Sequence, residues 1–464
     1  MQAGDGLCLL ERQRESEDDS DHREAAADCT NPWTSVGPAP GSVIETGLPL
    51  SVLEDLTLKV LRSVDRPRLV EVAEALCLPP QLTMEIVESL TARKLAQVDS
   101  ADSPLRFHYR YSLMDAGKMA ADDCLRRCHY IGNAPVPVQQ YSAAVVRQSE
   151  ARVRPSNEQV RQALSHLVLS EETVHDIGQA YSSGRPLMAY GPSGNGKSDI
   201  VMSVAGSIGG SVVMPHALYA HGHIIEVFDA QLHRLVAQEG ETESASANGG
   251  PRPDRRWKEV RRPAVIVGGD MGVEALEIGF DQVRNVYIAP LSVRAQGGVL
   301  VIDDLGRQRV PIHAILNRWV QLMEQGYDSF SLQSSEVIRL PLDVTLVFST
   351  NLTLEDLMDE AYLRRISYKI PVPNPTRQQF KEITRRVCEE KQVTYTDDDL
   401  EQLVCKVFDT GAFEPKSCYP RDIVQTVVDA ARFDGEPPRL DSAAIDQACR
   451  LYLTPRRPAL TRVA

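Results

Sequence analysis

The sequence predicts an α/β fold: a parallel β-sheet with flanking helices, followed by a helical unit and preceded by a small α+β unit. Three observations predict it. The stretch RPLMAYGPSGNGKSDIVMSVAGSIG runs from an apolar strand candidate through a glycine-rich turn into a helix. Downstream, GGVLVIDD and VTLVFSTN are continuous apolar runs that end abruptly in acids or an amide, as strands buried on both faces do. Both flanks of this region carry apolar residues at helical spacing.

The 464 residues leave room for two or three domains. Residues 1–46 are acidic and then rich in Pro and Gly, and are expected to form a disordered tail. Residues 1–30 alone hold nine acids against three arginines, a large part of the net charge of −14. Residues 47–130 are expected to form a winged-helix-like domain. Leu53, Leu56 and Val60 share one helical face. PRLVEVAEALC starts a second helix with Pro67 in its first turn, where a missing N–H costs little. Ile86, Val87 and Leu90 stripe a third helix, and LAQV, DSADSP and FHYRYSL read as strand, turn and strand. The helix DAGKMAADDCLRRCHY closes the unit. Residues 131–155, with IGNAPVPVQQY, read as an extended Pro-containing linker. Residues 156–375 are the expected α/β core, with an inserted flexible loop at about 236–256 (AQEGETESASANGGPRPDRR). Residues 376–455 read as a helical lid and 456–464 as a basic tail.

Composition narrows the function. No apolar run approaches the ~20 residues that a membrane-spanning helix needs, and the acidic leading stretch is no secretory signal. Nine scattered cysteines without a CxxC pair point to reduced thiols. A cytoplasmic protein with no membrane span is expected. Cys124 and Cys128, followed by His129, share a predicted helical face but lack a second ligand pair. His216, His221, His223 and His233 cluster in sequence, with HGH expected at a surface turn. Trp257 with Arg255, Arg256, Arg261 and Arg262 reads as a local basic patch. Overall acidity gives no push toward nucleic acid.

The chemistry is concentrated in five stretches. Gly191-Pro192-Ser193-Gly194-Asn195-Gly196-Lys197-Ser198 matches GxxxxGK[ST]. Its glycines let backbone N–H groups converge on phosphate oxygens, and the helix that follows adds its positive end. Lys197 is expected to reach the β- and γ-phosphates of ATP, and Ser198 to ligate Mg²⁺. Asp303 and Asp304 end a buried strand, where open α/β sheets place ligands. Asp303 is the expected further partner of Mg²⁺, and Asp304 the group that orients and polarises the attacking water. Asn351 closes another apolar strand and can hold the same water or the γ-phosphate. Arg364 and Arg365 precede a third apolar strand and are expected to reach a neighbouring subunit's γ-phosphate. Arg421 stands in the first turn of a helix after Pro420, where positive charge is mildly unfavourable. A bound phosphate is its expected partner, with Asp422 the local alternative.

The order GPSGNGKS, VIDD, STN, LRR, YPRD resembles the AAA+ ATPase pattern over roughly residues 156–455: Walker A, Walker B, sensor 1, arginine fingers and sensor 2. The resemblance implies an ATP- and Mg²⁺-dependent homo-oligomer, with a hexameric ring expected. Asp304 stands where most ring ATPases have Glu, one methylene longer. The two alternating strands around Gln333–Ser335 look like the hairpin before sensor 1 in chelatase-like and enhancer-dependent activator groups, and the activators' GAFTGA loop is absent. The whole chain also resembles a bacterial family with a winged-helix-like N-terminal region, described as predicted ATPases with chaperone activity and linked to Flp-type pilus assembly. LEDLTLKVL, GNAPVPVQQY, RWKEVRRPAVIVGGD, APLSVRAQGGVLVIDDLGRQ and DEAYLRRISYKI carry that resemblance.

The expected function is therefore hydrolysis of ATP coupled to remodelling or assembly of an unknown protein client. Two alternatives stand beside it. One is a DNA-associated regulator using the winged helix; the other is a slow nucleotide-gated scaffold, motivated by Asp304. Residues 50–130 hold eleven Lys/Arg against twelve Asp/Glu, and Glu85 and Glu88 oppose Arg93 and Lys94 on the third helix. Nucleic acid is thus not the favoured partner.

Overall fold

The computed structural model describes residues 31–100, 106–152, 154–207, 209–236, 252–269, 271–355, 363–409 and 413–453. The expectations for the acidic stretch 1–30, the turn 101–105, the loop residues 237–251, the helix just before Arg364 and the basic tail lie outside the described residues.

The central sheet consists of β1 (Leu187–Tyr190), β2 (Ala264–Val267), β3 (Val299–Ile302), β4 (Thr345–Thr350) and β5 (Tyr368–Pro371). All neighbours are parallel, in the order β5-β1-β4-β3-β2. β3 and β4 are buried along their whole length, which their unbroken apolar runs require. Because β4 inserts between β1 and β3, Ile302 pairs with Phe348 and Thr350 with Tyr190. The carboxyl ends of three strands thus meet beside the glycine-rich loop, where the chain reverses its winding order. This is the predicted α/β class: a P-loop core with flanking helices and a helical lid.

The lid comprises helices Arg377–Glu390, Asp397–Phe408, Tyr419–Asp434 and Ser442–Tyr452. Thr376, Thr396 and Asp441 cap three of them through side-chain oxygens. Phe380, Leu403, Val424 and Ile445 fill its core.

The N-terminal unit has the predicted order. Helices Leu50–Ser63, Leu69–Leu76 and Pro80–Ala92 precede an antiparallel pair, Ala96–Ser100 with Arg110–Leu113, and helix Asp115–Arg127 follows. The stripes Leu53/Leu56/Val60 and Ile86/Val87/Leu90 are buried as expected. Their cluster also takes in Ala217 and Val286, so this unit shares apolar packing with a second sheet.

That second sheet is the main feature the sequence hid. Its strands are Gly279–Asp281, Val286–Ile288, His223–Glu226, Ala217–Ala220 and Val136–Pro137, in that spatial order. Three expectations change with it. Residues 131–155 are not an extended linker: Val136–Pro137 is a strand and Val138–Glu150 a helix that buries Tyr141, Ala144 and Val145. The tail expected to be disordered to residue 46 is ordered from residue 31. Trp33 Nε1 donates to Glu259 Oε2 at 2.7 Å, Pro38 bridges Pro253, and Thr46 is fully buried. The expected basic patch is only partly a surface feature: Arg255 and Arg261 are exposed, but Arg256 and Trp257 are buried. Arg256 is 2 % exposed and pairs with Asp254 at 2.7 Å while donating to Thr46 O and Gln140 Oε1. It ties three distant segments together, and Asp254 and Arg256 therefore belong to the packed core rather than to a flexible loop.

The hairpin expected before β4 is present as Tyr327–Ser331 paired with Val337–Pro341. Phe330, Ile338 and Leu340 face the core, while the tip residues Gln333–Glu336 are exposed. Among the described residues no helix is long and apolar enough to cross a membrane.

Candidate active site

The glycine-rich loop leaves β1 and enters helix Lys197–Gly206. Gly191, Gly194 and Gly196 take φ of +139°, +86° and +78°, a left-handed sequence that side chains resist. Lys197 is buried, and its ammonium donates to Gly191 O at 2.9 Å and Pro192 O at 2.8 Å. Burial pushes its pKa down, and the facing carboxylates of Asp304 and Asp303 oppose the shift.

Asp303 and Asp304 follow β3, each with its own partners. The Ser198 hydroxyl donates to Asp303 Oδ1 at 2.8 Å, and the Ser349 hydroxyl donates to the same oxygen at 2.6 Å. The Asn351 amide donates to Asp304 Oδ1 at 2.7 Å, and Arg307 stands 3.8 Å from Asp304 Oδ2. Asp304 takes φ of +53°, a left-handed conformation that is uncommon outside glycine and that clusters at functional sites. Flanking bonds hold it there: Leu305 N–H to Ser349 O at 2.7 Å and Arg307 N–H to Asp304 O at 3.0 Å. Gln308 braces the turn through Asp303 O and the Gly306 N–H.

The structure thus brings Lys197, Ser198, Asp303, Asp304 and Asn351 into one site at the strand ends. Asn195 is buried, donating to Asn374 Oδ1 at 2.8 Å and accepting from the lid's Ser417 N–H at 3.1 Å. Arg365 pairs with Glu324 at 2.6 Å, and Arg364 is exposed beside it. Arg421 pairs with Asp422 at 3.4 Å, the local alternative read from the sequence. Ser349, Gln308 and Asn374 are participants that motif reading missed. Ser349 was visible only as the residue two before Asn351, a spacing that places both on one side of β4.

The residues present fit a magnesium nucleotide. A glycine loop without side chains in its path offers backbone donors to phosphate, and Ser198 with Asp303 supplies the oxygen ligands that a hard cation takes. The histidines fit no such role. His233 is 2 % exposed and spends both ring nitrogens on Asp229 N–H and Arg294 O. His216 stacks on Phe228 and meets the Tyr130 hydroxyl at 3.1 Å. His221 lies at the exposed turn between two strands, as expected for HGH.

Residues 376–451, in the lid, match the family described as a domain of unknown function (DUF8689). No curated protein matches the chain. Among solved structures, RuvB of Thermotoga maritima, titled a Holliday junction branch migration motor, aligns at 14 % identity and a TM-score of 0.35, over 61 % of this chain and 69 % of that one. NtrX of Brucella abortus in complex with ADP aligns at 14 % identity and a TM-score of 0.38, over 75 % and 69 %. NtrX in complex with ATP aligns at 16 % and 0.36, over 73 % and 65 %. Likeness at this level covers part of a topology; the strand order and glycine loop of this chain are what assign its fold.

Proposed function

We propose that the chain is an AAA+ ATPase that hydrolyses ATP and couples the reaction to remodelling or assembly of a protein partner. The observation that carries this reading is the pair of contacts Ser198–Asp303 and Asn351–Asp304, 2.8 Å and 2.7 Å, at adjoining strand ends beside the Lys197 loop. The loop from Gly191 to Ser198 holds the phosphates, with Lys197 supplying positive charge. Ser198 and Asp303 hold Mg²⁺, which neutralises phosphate charge when bound. Asp304, oriented by the Asn351 amide, positions and polarises the attacking water. Arg364 and Arg365 act across a subunit boundary, so turnover belongs to a homo-oligomer, which we take to be a hexameric ring.

A protein client is favoured over duplex DNA by charge pairing in the N-terminal unit. Arg93 pairs with Glu54, Arg106 with Glu88, Arg62 with Asp122 and Arg66 with Asp99. Lys118, Arg126 and Arg127 are paired as well, so seven of the eleven cations of residues 50–130 already face a carboxylate rather than a phosphate backbone. The chaperone and pilus-assembly association of the family that the sequence resembles supports the same choice. Residues 47–130 would then present the client, and the lid beyond residue 376 would transmit the nucleotide state.

The test is turnover per chain against protein concentration. The reading predicts a steep rise as the oligomer assembles, lost in the Arg364→Ala/Arg365→Ala double variant. A flat profile, with the double variant active, would reject subunit-shared catalysis. Capture with the Asp304→Asn form in ATP then identifies the client.

A further inference from the structure

The glycine-rich loop is met by a lid segment that no motif singles out. Cys418 N–H donates to Gly194 O at 2.9 Å, and Ser417 N–H donates to Asn195 Oδ1 at 3.1 Å. An amide chain extends the contact, since Asn195 donates to Asn374 and Asn374 donates to Glu414 Oε1 at 2.9 Å. Packing is tight here. A Cβ placed on Gly194 would stand 2.8 Å from Cys418 Sγ and 3.2 Å from Lys416 Cδ. Residues 414–418 are therefore held on the loop by backbone bonds on one side and by the stem of Lys416 on the other.

This places a second ammonium on the loop. Lys416 Nζ lies 3.4 Å from Ser193 Oγ. Two cations converging on one glycine loop repel each other, and a polyanion seated there would relieve both. Arg421, the lid cation that the sequence points to, is 66 % exposed and turned to Asp422.

We infer that Lys416 binds the phosphates of the nucleotide held by the Gly191–Ser198 loop, so that the lid reads the nucleotide through residues 414–418; this rests on the nucleotide-binding reading above. The lid cation in this chain is then a lysine that precedes the Tyr419–Asp434 helix, not a residue within it.

The test is a fluorescence titration of the full chain with a methylanthraniloyl derivative of ATP and Mg²⁺. Lys416→Met keeps the stem that packs on Gly194 and removes the charge. It should weaken binding about tenfold, the size of one charge-assisted hydrogen bond. Lys416→Arg should stay within about threefold of the parent. Lys381→Met removes the same charge from a lid lysine paired with Asp397 and Glu401, and should leave binding unchanged. Full affinity in Lys416→Met would overturn the inference, and a role limited to packing predicts that result. A tenfold loss confined to Arg421→Ala would overturn it too, while leaving nucleotide binding itself intact. If the parent chain bound no nucleotide, the proposed function would fall first and take the inference with it.

Discussion

The side-chain amide of Asn351 donates to Asp304 Oδ1 across 2.7 Å, joining the turn after β3 to the end of β4. Asp304 sits in a left-handed conformation, so its carboxylate direction depends on such partners. Asn351→Ala should therefore leave nucleotide affinity within about twofold and lower kcat by about tenfold to a hundredfold, since a positioned base loses its orienting bond. Steady-state kinetics beside a binding titration check this; a loss in affinity alone would show that Asn351 holds phosphate rather than Asp304.

Ser349 shares Asp303 Oδ1 with Ser198, at 2.6 Å and 2.8 Å. Removing the Ser349 hydroxyl leaves the carboxylate less firmly aimed. Ser349→Ala should raise the Mg²⁺ concentration for half-maximal turnover by about threefold to tenfold, with kcat at saturating Mg²⁺ little changed. A magnesium titration at fixed ATP reads this directly.

Arg256 is the buried hub between the N-terminal segment and the core. Replacing it by alanine strands the Asp254 carboxylate, 4 % exposed, without its cation. The expected loss is about 3 to 5 kcal/mol of stability. Denaturant unfolding of Arg256→Ala should show it, and the Arg256→Ala/Asp254→Ala double variant should recover part of the loss.

Much of the candidate site was legible because its signals are local. A glycine loop, a pair of acids and an amide each follow an apolar strand within a few residues, and sheet topology then brings them together. Residues 31–46, the helix Val138–Glu150 and Arg256 were not legible for the opposite reason. Trp33 finds Glu259 across 226 positions, and Arg256 finds Thr46 across 210. Pro135 and Pro137 made the stretch look extended, although Pro137 occupies the cap of the helix that follows. Polar loop composition likewise concealed that Arg256 is fully paired. The strands of the second sheet, two to four residues long, are too short for their alternation to stand out.

Acid should loosen the lid through Glu382. Hydrogen bonds from Arg385 and Arg386 hold its carboxyl at about 2, below the usual 4.5. A depressed carboxylate contributes stability that is present above its unfolded pKa and is lost as pH falls from about 4.5 to about 2. Solvent screening at this partly exposed site limits the effect to about 1 kcal/mol or less. Thermal melts of the parent and Glu382→Gln should differ at neutral pH and converge through that window.

The central claim is that Asp304 drives hydrolysis of a nucleotide that Lys197 and its loop hold. The most direct measurement is phosphate release and ATP binding on the same preparations of the parent, Asp304→Asn and Lys197→Ala. The account predicts that Asp304→Asn binds ATP as tightly as the parent and releases phosphate at least about a hundredfold more slowly, while Lys197→Ala loses binding. Undiminished phosphate release by Asp304→Asn would contradict it.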